Sequence, residues 1–187
     1  MIRPLEMAHQ FLGQIITKED VVVDATMGNG HDTVFLAGLA KQVYAFDIQE
    51  KALIKTQERL EAAGLINAQL ILDGHEQVDT YVTEPIRAAI FNLGYLPAAD
   101  KSVITLPETT LIALDKLCQA LSVGGRIAVM VYYGHEGGQE EKEAVVAFAQ
   151  SLPQQVFTVA LYQNINQVNR PPFLIMIEKL KQEKEGA

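Results

Sequence analysis

At 187 residues, 49% hydrophobic and 20% charged, the chain has the size and makeup of a single globular domain with its own core. No apolar run approaches the ~20 residues that cross a bilayer, and the opening residues lead us to expect no secretory leader. A net charge of −8 argues against broad, sequence-blind contact with nucleic acid, which needs many cations on phosphates, but leaves room for a small local RNA site.

In chain order, Leu5, Ala8, Leu12, Ile15 and Ile16 have helical spacing and predict a helix over 5–16, with His9 on its apolar face. The β-branched run Val21-Val22-Val23 predicts a buried strand over 20–24. It leads into Asp24-Ala-Thr-Met-Gly28-Asn-Gly30-His31-Asp32-Thr33, a glycine-bearing turn followed by the apolar spacing of a helix over 32–40. Further strands are expected at 42–47, 68–72, 87–91, 125–133, 155–162 and 173–179. Helices are expected at 50–63, 75–81, 107–121 and 138–151. Cys118, the lone cysteine, falls among Leu114, Leu117 and Leu121 as a small core residue. It rules out an internal disulfide framework and suggests a reducing cytoplasm. The polar tail, 181–187, reads as frayed.

Alternation of strand and helix implies a mostly parallel sheet with helices on both faces. The loop 163–172 is too short for a helical crossover, so the last two strands should be antiparallel neighbours. The expected fold is α/β: one domain over 1–187 with a seven-stranded, mostly parallel sheet and one antiparallel strand. This is the Rossmann-like class I arrangement of S-adenosylmethionine-dependent methyltransferases.

Strand, glycine turn, helix is how such sheets hold a nucleotide-like ligand, with backbone N–H groups facing it. Asp47, ending the second strand, suits the ribose hydroxyls, and Gln49 follows it. Two details favour S-adenosylmethionine over a dinucleotide. Thr33 stands where the dinucleotide fingerprint needs its third glycine, and Asp24 would repel a pyrophosphate but attract an ammonium or sulfonium. Asp24, Met27, Gly28, Asn29, Gly30, His31, Asp32 and Thr33 are therefore expected around that cofactor. Asp73, with His75 beside it, either meets the adenine edge or caps the short helix.

After the fourth strand comes Phe91-Asn92-Leu93-Gly94-Tyr95-Leu96-Pro97. Enzymes that methylate amino or amide nitrogens carry an Asn/Asp-Pro-Pro-Tyr/Phe turn here. This chain keeps Asn92 and Tyr95 and has Leu93 and Gly94 in place of the prolines. A nitrogen nucleophile needs acceptors for its N–H bonds so that its lone pair faces the methyl group, and Asn92 can supply one. Tyr95 offers a face for a planar base. Asn92 is also expected to touch the cofactor.

These segments, with Asp100-Lys101, Tyr133-Gly134-His135, Gly137-Gly138, Asn166 and Pro171-Pro172-Phe173, resemble the bacterial rRNA methylase family, of MnmM type. Where the family often has two glycines after Leu96-Pro97, this chain has Ala98-Ala99. The resemblance implies methylation of 5-aminomethyl-2-thiouridine to 5-methylaminomethyl-2-thiouridine at the wobble position, with tRNA bound through its anticodon region and residues 1–19 forming a helical cover over the pocket. An alkylamine, with a pKa of about 10, must lose a proton before attack. Asp100, His135 and His31 are candidate acceptors, left unranked.

On the substrate side we expect Arg3, His9, Leu93, Gly94, Lys101, Tyr133, Asn166 and Arg170, with Arg3, Lys101 and Arg170 contacting phosphate. Glu140 and Glu141 read as favourable charges in the first turn of a helix. The scattered histidines suggest no metal site. A homodimer through an edge strand or helix 107–121 stays open. Competing readings are an rRNA, protein-amide or small-amine acceptor, a non-catalytic S-adenosylmethionine-binding module, and an NAD oxidoreductase.

Overall fold

A computed structural model describes residues 1–94, 105–134 and 137–182. Seven strands form one sheet: β1 (Val21–Asp24), β2 (Gln42–Asp47), β3 (Ala68–Leu72), β4 (Ile86–Leu93), β5 (Leu121–Val131), β6 (Phe157–Tyr162) and β7 (Phe173–Lys179). The helices are α1 (Pro4–Gly13), α2 (His31–Leu39), α3 (Glu50–Ala63), α4 (Val78–Tyr81), α5 (Pro107–Ala120) and α6 (Gly138–Ser151), and a 3-10 turn, His75–Gln77, precedes α4. The sheet order is β3-β2-β1-β4-β5-β7-β6, and β7 alone runs antiparallel to its neighbours. This is the class I methyltransferase arrangement expected from the alternation.

Side-chain parity builds two cores, because successive strand residues face opposite ways. One face carries Val22, Val43, Ala45, Ala88, Ile90, Ala128 and Met130 beneath Ala8 and Leu12 of α1, Leu36 and Ala37 of α2, and Leu60 of α3. The other carries Val23, Phe46, Ala89, Phe91, Val129 and Ile175 beneath Val78 of α4, Leu114 and Leu117 of α5, and Val145 of α6. Covering both faces explains why β1 is apolar without alternation. Phe46, Phe91 and Phe173 are wholly enclosed, each contributing about 1.5–3 kcal/mol.

The two largest departures from the expected boundaries are the end of α1 and the start of β5. Helix α1 begins with Pro4 at its first position and Glu6 accepting the Arg3 N–H, but it ends at Gly13 rather than residue 16. The Ile15 carbonyl instead accepts a bond from Arg87 Nε at 3.2 Å, tying the chain to β4. Strand β5 begins at Leu121, before the expected 125, and a register shift lies between Ile86 and Ala88 on its partner. Gly125 sits at that irregularity, where a Cβ would lie 2.9 Å from the Arg87 carbonyl oxygen. Among the described residues no helix is long and apolar enough to cross a membrane.

Candidate active site

The carboxyl ends of β1 to β5 open into a cavity of about 1000 Å³. That is ample for a nucleoside-sized ligand with a second molecule beside it. Two glycines shape its first wall. Gly28 (φ 55°) and Gly30 (φ 79°) hold left-handed conformations that disfavour L side chains. At Gly30 a Cβ would also come within 2.6 Å of Thr56 Oγ1, so the loop lies hard against α3.

Asp47 secures this loop from below. Its Oδ2 accepts the Gly28 N–H at 2.9 Å and its Oδ1 the Gln49 N–H at 2.9 Å, leaving further lone pairs at the cavity. Burial raises its pKa above the ordinary carboxylate value. Asp73 accepts from the Gly74 N–H at 2.8 Å and the Tyr81 hydroxyl at 2.9 Å, and it too lines the cavity. It makes no side-chain cap to the 3-10 turn, which leaves the adenine-edge expectation for it.

His75 stands beside it with Nδ1 3.0 Å from the Ala25 carbonyl oxygen. A carbonyl only accepts, so Nδ1 carries the proton and Nε2 presents a lone pair. That Nε2 is buried and has no partner among the described residues. Burial lowers the His75 pKa and keeps the ring neutral. A buried acceptor without a donor is costly.

Another part of the cavity wall is built around Asn92, near the end of β4. Its backbone N–H donates to Thr26 Oγ1 at 2.7 Å, and its Nδ2 donates to Asp32 Oδ2 at 2.6 Å. Beyond Asn92 the chain is pinned as a stem. Gly94 N–H donates to Thr105 Oγ1 at 2.9 Å, Thr105 N–H donates back to the Gly94 carbonyl at 3.0 Å, and Thr105 Oγ1 donates to Glu141 at 2.6 Å. Glu141 stands in the first turn of α6 as expected, and its carboxylate also holds side chains of neighbouring segments. It is buried and also accepts from Thr110 at 2.8 Å, joining α6 to α5. Asp32, Asp47, Asp73 and Glu76 line the cavity against a single guanidinium among the described residues, that of Arg170. Such a wall suits a ligand carrying positive charge.

Comparison with known proteins agrees with this geometry. The model of the family described as "Putative rRNA methylase" matches residues 43–178. An Arabidopsis thaliana protein named tRNA (mnm(5)s(2)U34)-methyltransferase, chloroplastic, is 38% identical over 188 residues, spanning 93% of this chain and 69% of that protein. The chain belongs to this rRNA methylase family. Two solved relatives share the fold closely. A Streptococcus mutans protein described as "a putative methyltransferase" in complex with SAH is 61% identical, with TM-score 0.92 over 96% of this chain and 99% of that one. A Clostridium thermocellum protein described as a "putative rRNA-methylase" is 44% identical, with TM-score 0.93 over 96% and 98%.

Within this methyltransferase, the sequence-predicted residues divide by position. Met27, Gly28, Asn29, His31, Asp32, Asp47, Gln49, Asp73, His75, Asn92, Leu93, Gly94, Tyr133 and Arg170 line the cavity. Asp24, Gly30 and Thr33 stand behind it. Asp24 is fully buried, accepting Thr33 Oγ1–H at 2.6 Å and the Thr26 N–H at 3.2 Å. Burial, then the nearby Asp32 carboxylate, raise its pKa to about 7. It braces the turn rather than touching a ligand. His9 also lies behind the wall, with Nε2 2.6 Å from Asp32 Oδ1. Arg3 is exposed, pairs with Glu6 at 2.8 Å and does not reach the cavity; Asn166 is exposed beyond its lining. Tyr95, Asp100, Lys101 and His135 lie outside the described residues.

Tyr132 was missed as a site residue. It lines the cavity with 38% exposure, whereas Tyr133 beside it is 8% exposed and packs edge-on to Phe173. Its signal was visible, since it follows β5 on the sheet edge that carries Asn92. Among the described residues no group of three His, Cys, Asp or Glu side chains could hold a metal.

Proposed function

We propose that this protein transfers a methyl group from S-adenosylmethionine to the primary amine of 5-aminomethyl-2-thiouridine at the tRNA wobble position, giving the 5-methylaminomethyl nucleoside. The observation that carries this reading is Asn92, an amide on the wall of a cavity whose other half is acidic. The residues fit the cofactor: Asp47 toward the ribose, Asp73 and His75 toward the adenine, and the α2 N-terminus toward the carboxylate. When bound, S-adenosylmethionine supplies an electrophilic methyl carbon on a sulfonium.

The chain's own residues then position and desolvate. Asn92 Oδ1 accepts an N–H of the amine and turns its lone pair toward the methyl carbon. The amine gives up one proton before attack; the methyl group would then pass from sulfur to its lone pair, leaving a neutral thioether and the methylated nitrogen as an ammonium. An enclosed site favours the neutral amine before attack, so positioning carries most of the rate. Among the suggested acceptors His31 is on the cavity wall. Tyr132 offers a face for the base, and Arg170 on the wall offers a cation for a phosphate of the anticodon region. One domain spanning the chain, with residues 1–19 as cover, agrees with Leu5 lining the cavity. The expected compartment is the cytoplasm, and the oligomeric form this reading admits is a homodimer through β6 or α5.

Incubation with isotope-labelled S-adenosylmethionine and tRNA lacking the terminal methyl, followed by nucleoside mass spectrometry, tests the reading. Label in 5-methylaminomethyl-2-thiouridine is expected; label in another nucleoside, or none, overturns it. Asn92→Ala should lower kcat about 100-fold with cofactor affinity little changed. Equal loss of both would remove Asn92 from this role.

A further inference from the structure

An amide has two ends of opposite hydrogen-bonding sense, and only the oxygen of Asn92 suits an amine awaiting a methyl group. An unrestrained Asn92 could present either end. Here Nδ2 is 2.6 Å from Asp32 Oδ2, and a carboxylate can only accept, so the NH2 end must face Asp32 and Oδ1 must face away from it. The backbone on the same residue is held by Thr26 Oγ1 at 2.7 Å. One clamp comes from the turn after β1 and the other from the first turn of α2.

Asp32 is itself held. Its side chain is only 9% exposed, and its second oxygen lies 2.6 Å from His9 Nε2. The His9 ring lies flat on Phe35, with centroids 3.9 Å apart and planes 6° from parallel, so it has little freedom to turn. His9 stands on α1, and the Asn92 contact bridges 60 positions of sequence.

We propose that Asp32 is a positioning residue for methyl transfer: it locks the Asn92 amide with its oxygen toward the amine, and His9 holds Asp32 in that pose. The inference rests on the role of Asn92 given above. It gives α1 a mechanical function beyond covering the pocket, because the His9–Asp32–Asn92 chain transmits the seat of that helix to the reacting group.

The test separates orientation from charge and from folding. Asp32→Ala should lower kcat about 50-fold while KM for tRNA and the calorimetric Kd for S-adenosylmethionine move less than about threefold. Asp32→Asn keeps an acceptor oxygen for Nδ2 and should recover activity to within about fivefold of the original protein. In an Asn92→Ala background, Asp32→Ala should cost nothing more; a further loss of full size overturns the inference. A folded Asp32→Asn as inactive as Asp32→Ala also overturns it. One readout needs no turnover. The Asn92 side-chain NH2 resonance in a 15N spectrum of the full chain, assigned by its loss in Asn92→Ala, should move in Asp32→Ala. If it stays, no clamp exists. If it moves while Asn92→Ala methylates normally, the clamp stands and the role of Asn92 fails instead.

Discussion

Replacing Asp24 with asparagine should change how stability depends on pH, in a direction set by its burial. The carboxyl is fully enclosed, and desolvation with the neighbouring Asp32 charge raises its pKa from an ordinary 3.8 to about 7. Between those values the folded chain keeps a proton that the unfolded chain has released. Stability from this group is therefore greatest below about pH 4, falls as pH rises to 7, and is flat above it. The full gap corresponds to about 4 kcal/mol, of which about 3 kcal/mol falls between pH 5 and pH 8. An amide in place of this carboxyl would be neutral throughout and could still accept from Thr33 or Thr26. Urea unfolding at pH 5, 6, 7 and 8, followed by circular dichroism, gives the difference in stability between the two proteins. His75, lowered by burial, titrates in both and cancels in that difference, whereas the Asp47 charge acts on Asp24 and is part of it. The advantage of Asp24→Asn should grow with pH. Parallel curves would refute the assignment of a neutral, buried Asp24.

Gly30→Ala forces a side chain into φ 79° and against Thr56, so it should cost about 1–3 kcal/mol or more and lower the melting temperature by several degrees. An unchanged melt would mean the loop does not lie against α3. Burial pushes the Cys118 thiol up to about 12, so a thiol reagent should label it only as fast as the protein unfolds. Rapid labelling of the native chain would contradict its place on the buried face of α5. Arg170→Ala should weaken tRNA binding and reduce its salt slope by about one, while Arg3→Ala, whose partner is Glu6, should do so less; equal effects would contradict the cavity geometry.

Much of the fold was legible because helix and strand periodicities are local properties. The runs at 42–47, 50–63, 68–72, 138–151 and 173–179 coincide with β2, α3, β3, α6 and β7. Misplaced ends have tertiary causes: Arg87 draws the Ile15 carbonyl out of α1, and the close approach at Gly125 lets β5 begin earlier. In the site, Gly28, Asp47 and Asn92 announced themselves through residue type at a strand end. Glu141 did not, since an acidic residue in a first helical turn reads the same whether it faces water or two buried threonines. Tyr132 and Tyr133 alternate across one strand edge, and composition could not say which side chain stays exposed.

By itself, then, the order of apolar runs and turn residues determined a mostly parallel sheet whose carboxyl edge gathers a glycine turn, an acid ending the second strand and an amide ending the fourth. What folding alone decided was how each of those groups is held. Asp24 withdrew behind the loop, His75 took the tautomer the Ala25 carbonyl demands, and Asp32 came between His9 and Asn92. The reason is physical: element identity follows from neighbours along the chain. The protonation and orientation of a buried polar group depend on partners that only the packed sheet brings within hydrogen-bonding distance.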